Sequence, residues 1–205
     1  MKKTLLIFSI SLLVCFAAMA QTMVGKMRVS EFKALNAQGA KLVKAIKPTK
    51  MALSTADNNL FMQVAMGGKK QLLISQAVLD KATNPQVKLL AQSEVEEQTT
   101  IAAKLAQIAT AKGVTLPTEA DPTADALLSQ LGTLTGTELD AFYIAESGIK
   151  GHQELQATMT TVNKTAKDLA LKSLAVATLP VIRVHLKVSQ DQQKMMNTSG
   201  GTATK

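Results

Sequence analysis

Two histidines, His152 in "IKGHQEL" and His185 in "LPVIRVHLK", are all the imidazole in a chain of 205 residues. With Glu94, and with Glu97 beside it, they supply the donor types of a mononuclear two-histidine, one-carboxylate centre. Such a set suits a divalent ion such as Fe, Zn or Mn. Other chemistries find no matching residues. The stretch "MGGKK" sits inside a helical pattern and does not follow a strand, so it is not a phosphate loop. Neither order nor context suggests a Ser-His-Asp triad, and glycosidase work would need a second inward carboxylate beside Glu94. Met62, Met66, Met159, Met195 and Met196 have the softness that copper favours, but scattered over helices they read as core filler. No catalytic set emerges, and the reading leans away from an enzyme.

The elements that must position these groups are helices. Ser54, with Asp57 three residues later, offers a cap, and apolar positions run from Leu60, Phe61, Val64 and Ala65 to Val78 and Leu79. Asn84 and Pro85 start a second helix that runs to about Lys112 and stops at Gly113. Helices joined by so short a turn are antiparallel neighbours. Residues 113–136 form a proline-containing crossover with one short helix started by Asp121 and Pro122. A third long helix is expected from about Thr137, capped by Thr137 and Asp140, to near Asn163. A fourth is expected from around Thr165 to about Met196, kinked where Pro180 lacks an amide hydrogen. A hairpin, a crossover and a second hairpin make an all-α, ferritin-like four-helix bundle over residues 54–196.

Stripes along these helices show which polar groups point inward. Val87, Ala91, Glu94, Gln98, Ile101, Leu105 and Ile108 hold one face of the second helix. Phe142, Ala145, Ile149, His152, Leu155 and Met159 do so in the third, and Leu174, Thr178, Val181, His185 and Val188 in the fourth. Gln71 faces inward from the first, where Gly67 and Gly68 allow close approach. Gln71, Glu94, Gln98, His152 and His185 are thus expected to form a buried polar layer. A turn near Lys164 would put His152 about 12 residues before it and His185 about 21 after, an offset of roughly 13 Å along the bundle. Residues so staggered could not share one ion. The expected role of the histidines is therefore to fix helix register, satisfied by each other or by buried water.

Charge and the amino-terminal sequence bear on location. "MKKTLLIFSISLLVCFAAMAQ" has two lysines, an apolar run and Ala18-Met19-Ala20, the pattern of a signal peptide over residues 1–20. Export, to the periplasm or outer envelope, is the expectation. The one cysteine, Cys15, falls inside that leader, so disulfide and thiol chemistry are not expected in the mature protein. The chain carries a net charge of +8. Residues 21–50 hold seven basic side chains against Glu31 alone, and residues 51–205 are balanced. Residues 21–53 are read as a basic, loosely ordered arm that could touch anionic lipid or cell-wall polymer. With one tyrosine and no tryptophan the chain lacks the stacking platforms of a single-strand binder, and nucleic acid is not an expected partner. The tail "NTSGGTATK", residues 197–205, has nothing to bury and is expected to be disordered.

The segments "KATNPQVKLLAQSEVEEQ", "KGVTLP", "LDAFYIAESGIKGHQEL" and "LKSLAVATLPVIRVHL", in this order and spacing, resemble the exported bacterial helical proteins of domain of unknown function 4142 (DUF4142). The resemblance covers roughly residues 56–192 and implies a ferritin-like helical bundle without a settled activity. It further implies a glutamate where Gln71 stands, an Asp-His pair where Glu97 and Gln98 stand, and one histidine in each of the last two long helices, matched by His152 and His185. A ferritin-like di-metal centre needs two Glu-x-x-His pairs. Here Ile149 and Ile182 occupy the positions three before the histidines. The reading is an exported helical binding or interaction protein. Its alternatives are a metal-binding or redox bundle and a structural envelope protein held by the basic arm.

Overall fold

A computed structural model describes residues 22–200; the expected signal peptide and the last five residues of the tail lie outside them. The order is β1 (Met23–Val24), β2 (Met27–Arg28), α1 (Val29–Ala45), α2 (Thr55–Leu79), α3 (Pro85–Lys112), α4 (Ala124–Thr133), α5 (Gly136–Tyr143), a π-helical segment (Ile144–Gly151), α6 (His152–Thr165) and α7 (Leu169–Gly200). Apart from the two short antiparallel strands, paired Met23 to Arg28 and Val24 to Met27, the protein is all-α. Helices α2 and α3 form one extensive pair and α6 and α7 another, while α1 lies against α3 and α7.

Several boundaries follow the expected capping chemistry. The Ser54 side chain accepts from the Asp57 amide at 3.1 Å, and Asn84 Oδ1 accepts from the Gln86 amide at 2.8 Å with Pro85 opening α3. Helix α3 ends at Gly113, whose φ of +66° is the left-handed conformation glycine adopts without steric cost.

Other boundaries differ from the expectation. Residues 29–45, expected to be a loose arm, form a helix that buries Phe32, Gly39 and Val43. Their lysines occupy the outer face, so a strongly basic composition coexists with a packed inner stripe. Asp140 does not cap the third helix. It is buried and accepts from Thr83 Oγ1 at 2.6 Å and from the Asn84 amide at 2.8 Å, tying α5 to the α2–α3 turn. The last helix begins at Leu169 and not near Thr165, because Asp168 Oδ1 takes the amides of Ala170 and Leu171 at 2.9 and 3.1 Å. Lys112 pairs with the other oxygen of the same carboxylate. Helix α7 continues to Gly200, so residues 197–200 of the expected tail are helical. It also runs through Pro180; both Pro180 and Val176 are exposed, leaving the carbonyl that loses its amide partner on the solvent side.

The apolar core is divided. One cluster gathers Phe61, Val64, Ile101, Leu105, Leu155, Leu174 and Ile182 with their neighbours. The other gathers Ile74, Val78, Leu90, Ala91, Tyr143, Ile144 and Val188 with theirs. On every long helix buried polar or small residues lie between the two clusters: Gly68 and Gln71 on α2, Glu94 and Gln98 on α3, Ser147, Gly148, Gly151 and His152 in and after the π-helical segment, and His185 on α7.

Candidate metal centre

The buried polar layer expected from the helical stripes exists as geometry: Gln71, Glu94, Gln98, His152 and His185 are each no more than 3% exposed. Three of them converge. Glu94 Oε2 lies 3.0 Å from His152 Nε2 and 2.9 Å from His185 Nδ1, and the two imidazole nitrogens are 3.3 Å apart. The expected 13 Å stagger is therefore wrong. The turn occupies residues 166–168 and not Lys164, which places His152 about 15 residues before its centre and His185 about 18 after it, an offset of about 4.5 Å. Each residue by which a turn moves lengthens one arm and shortens the other, so a three-residue error doubles.

The partners on the far side of each ring fix which nitrogens face the centre. His152 Nδ1 donates to the Ser147 carbonyl at 2.9 Å. Asn36 Nδ2 donates to the Phe32 carbonyl at 2.8 Å, which leaves its Oδ1 to accept from His185 Nε2 at 2.7 Å. With those outer N–H groups committed, the inner nitrogens of the neutral rings present lone pairs to a carboxylate. Gln98 Nε2 donates to Glu94 Oε1 at 3.0 Å and leaves Oε2 as the shared atom. Three acceptors facing one another repel unless a cation lies among them.

The π-helical segment supplies part of this arrangement. It carries Ser147 and Gly148 just before His152, and a Cβ at Gly148 would stand 2.6 Å from Ser189 Oγ. Gly151 faces the Gln71 carboxamide, whose Oε1 accepts from Ser147 Oγ at 2.5 Å. Gln71 thus touches the support of His152 and not the three-atom centre. Gln98 likewise orients Glu94 without joining the centre.

Glu97 completes the surroundings. Its Oε2 is 3.5 Å from His185 Nδ1, and its two buried oxygens accept no hydrogen bond. Burial, and then the Glu94 charge, push its carboxyl well above the usual range. Burial would also raise Glu94, but the charges and hydrogen bonds of the two histidines outweigh it and hold that carboxyl far below its ordinary value. Burial works against the charged form of His152, yet Glu94 and the Ser147 carbonyl raise it above the ordinary histidine value. His185 is lowered, by burial first and by the neighbouring His152 charge.

Residues 43–191 match the family described as domain of unknown function DUF4142. The chain belongs to that family. No curated protein and no solved structure matches it. Within the DUF4142 stretch lie Glu94, Glu97, His152 and His185, whereas Asn36, which orients His185, lies before it on α1. Neither Asn36 nor Ser147 was legible as part of the site. Asn36 fell in a segment read as an arm, and Ser147 acts through its backbone carbonyl.

The donor set does not fit the dinuclear centre of ferritin-like proteins, because Ile149 and Ile182 replace the glutamates that two ions would need. It fits one ion. Donors bonded at about 2.0–2.2 Å to a common metal stand roughly 3.0–3.5 Å from one another, close to the separations found among Glu94, His152 and His185.

Proposed function

We propose that this DUF4142 protein binds one divalent transition-metal ion, Fe, Zn or Mn, through Glu94, His152 and His185, with Glu97 at the edge of the site. The observation that carries this reading is the convergence of three acceptor atoms whose outer partners commit their ring protons away from the centre. Two imidazoles and a carboxylate are a donor set for such ions, and hydrogen bonds from the outer ring nitrogens are the usual support of metal-bound histidine. A bound ion would supply Lewis acidity. The chain's own contribution is to hold the donors, orient Glu94 through Gln98 and exclude water. This is a binding role and not a catalytic one, and the leader pattern at residues 1–20 supports its being performed outside the cytoplasm.

The test is metal content of protein purified without an affinity tag, followed by titration of Zn, Mn and Fe(II) into wild type and a His152→Ala, His185→Ala double variant. One ion per wild-type chain, absent from the variant, is expected. If neither binds and the variant is only less stable, the centre is a proton-filled polar layer.

Attachment to an anionic surface is proposed in changed form. Lys41, Lys44 and Lys47 are exposed on and just after α1, and Leu42, Leu169 and Val176 are 48%, 71% and 60% exposed around one shallow depression. Basic charge beside exposed apolar groups suits an anionic lipid surface. Vesicles containing anionic lipid should sediment wild type but not a Lys41→Glu, Lys44→Glu, Lys47→Glu variant; equal sedimentation of both rejects this attachment.

A further inference from the structure

The three converging residues are closed off from solvent, each no more than 1% exposed. Two groups that touch them, Asn36 and Glu97, also line a cavity of about 630 Å³ between α1, α3 and α7. Ala37, Gly39 and Ala40 keep the α1 wall of that cavity thin. Two smaller cavities approach the surroundings of the centre from other sides. One, of about 190 Å³, reaches Gln71 and Gly151 and contains Lys70, whose ammonium lies 2.7 Å from Glu154. The other, of about 230 Å³, reaches Gln98 past Lys69 and apolar side chains.

A hydrated cation gives up its water shell where donor atoms replace it, and a carboxylate oxygen is one such donor. Among the cavities described, the large one alone brings a carboxylate without a hydrogen-bond partner up to the donors: Glu97 lines it, and its Oε2 is 3.5 Å from His185 Nδ1. Lys33 and Lys44 also line it, but both are exposed, so solvent and salt screen their charges. We propose that the cavity under α1 is the route by which a divalent cation reaches the centre, and that Glu97 is the carboxylate that passes it to His185 and Glu94. This rests on the metal-binding reading above and adds the path to it.

The experiment is stopped-flow uptake of Co²⁺ by the full chain, with equilibrium affinity measured on the same samples. Ala40→Phe and Ala37→Trp fill the large cavity from α1; Ala102→Trp fills the cavity next to Gln98 and serves as the comparison. The expected result is uptake slowed by about tenfold or more in either α1 variant, with affinity within about threefold of wild type and Ala102→Trp as fast as wild type. Normal rates in both α1 variants, or slowing confined to Ala102→Trp, overturn the route while leaving the metal site standing. Failure of wild type to bind Co²⁺ at equilibrium overturns the metal-binding reading itself. Two plugs at different positions keep the result readable if one of them misfolds.

Discussion

At the residue scale, Glu97 carries a cost that a metal ion would offset. A buried carboxylate with no hydrogen bond destabilises the metal-free protein, by about 1–3 kcal/mol for an unsatisfied polar group. Its folded-state pKa is raised, so the sign is fixed. Below the ordinary glutamate value of 4.5 the carboxyl is protonated whether the chain is folded or not, and the cost is absent. It grows as pH rises through that value and is complete above the raised one. Glu97→Gln should therefore melt later than wild type at neutral pH when chelator is present, with the difference vanishing near pH 4 in scanning calorimetry. An unchanged or lowered neutral-pH melting temperature would show that the carboxylate has a partner the geometry does not reveal. The acid itself entered the sequence reading through the family resemblance, as the acidic member of an implied Asp-His pair. Its lack of a partner was not legible, since that depends on which atoms of α1 and α7 come near.

At the scale of the elements, the decisive features are one turn and one irregular stretch of helix. Sequence spacing identified both histidines as inward-facing, but it put the α6–α7 turn three residues early and so held them apart. The true stop is set by Asp168, whose carboxylate caps α7 and binds Lys112. The π-helical segment had no sequence signal beyond its glycines, because periodic stripes assume a constant 3.6-residue repeat. Gly151→Ala tests its importance. The added methyl would collide with the Gln71 carboxamide, so that side chain must move and give up its hydrogen bond from Ser147 Oγ. The variant should lose about 1–3 kcal/mol in urea denaturation, and it should weaken metal binding through displacement of Ser147 from His152. Full retention of both properties would mean that Gln71 is free to repack and that the segment is not a rigid support.

At the scale of the whole molecule, fold class and the two hairpins followed from caps, prolines and periodicity. The role of residues 29–45 did not, because their net charge dominated the reading while only Phe32, Gly39 and Val43 mark the buried stripe. That helix brings Asn36 to His185, so the chain outside the family match completes a site inside it. The division of the apolar core has a different consequence, for cooperativity. Two hydrophobic halves joined by a polar seam are the conditions for separable opening units, each protected from exchange by its own packing. Native-state hydrogen exchange of the metal-free protein should resolve the α7 amides near Leu174 from those near Val188 as two groups with different opening free energies. Adding Zn should draw them together, because an ion held by α3, α6 and α7 must be released before either half can open fully. A single group without metal would show that the seam already transmits as much as an apolar core does. If two groups merge on loading, the seam is a clutch: the ion engages two independently breathing halves so that they open only as one body.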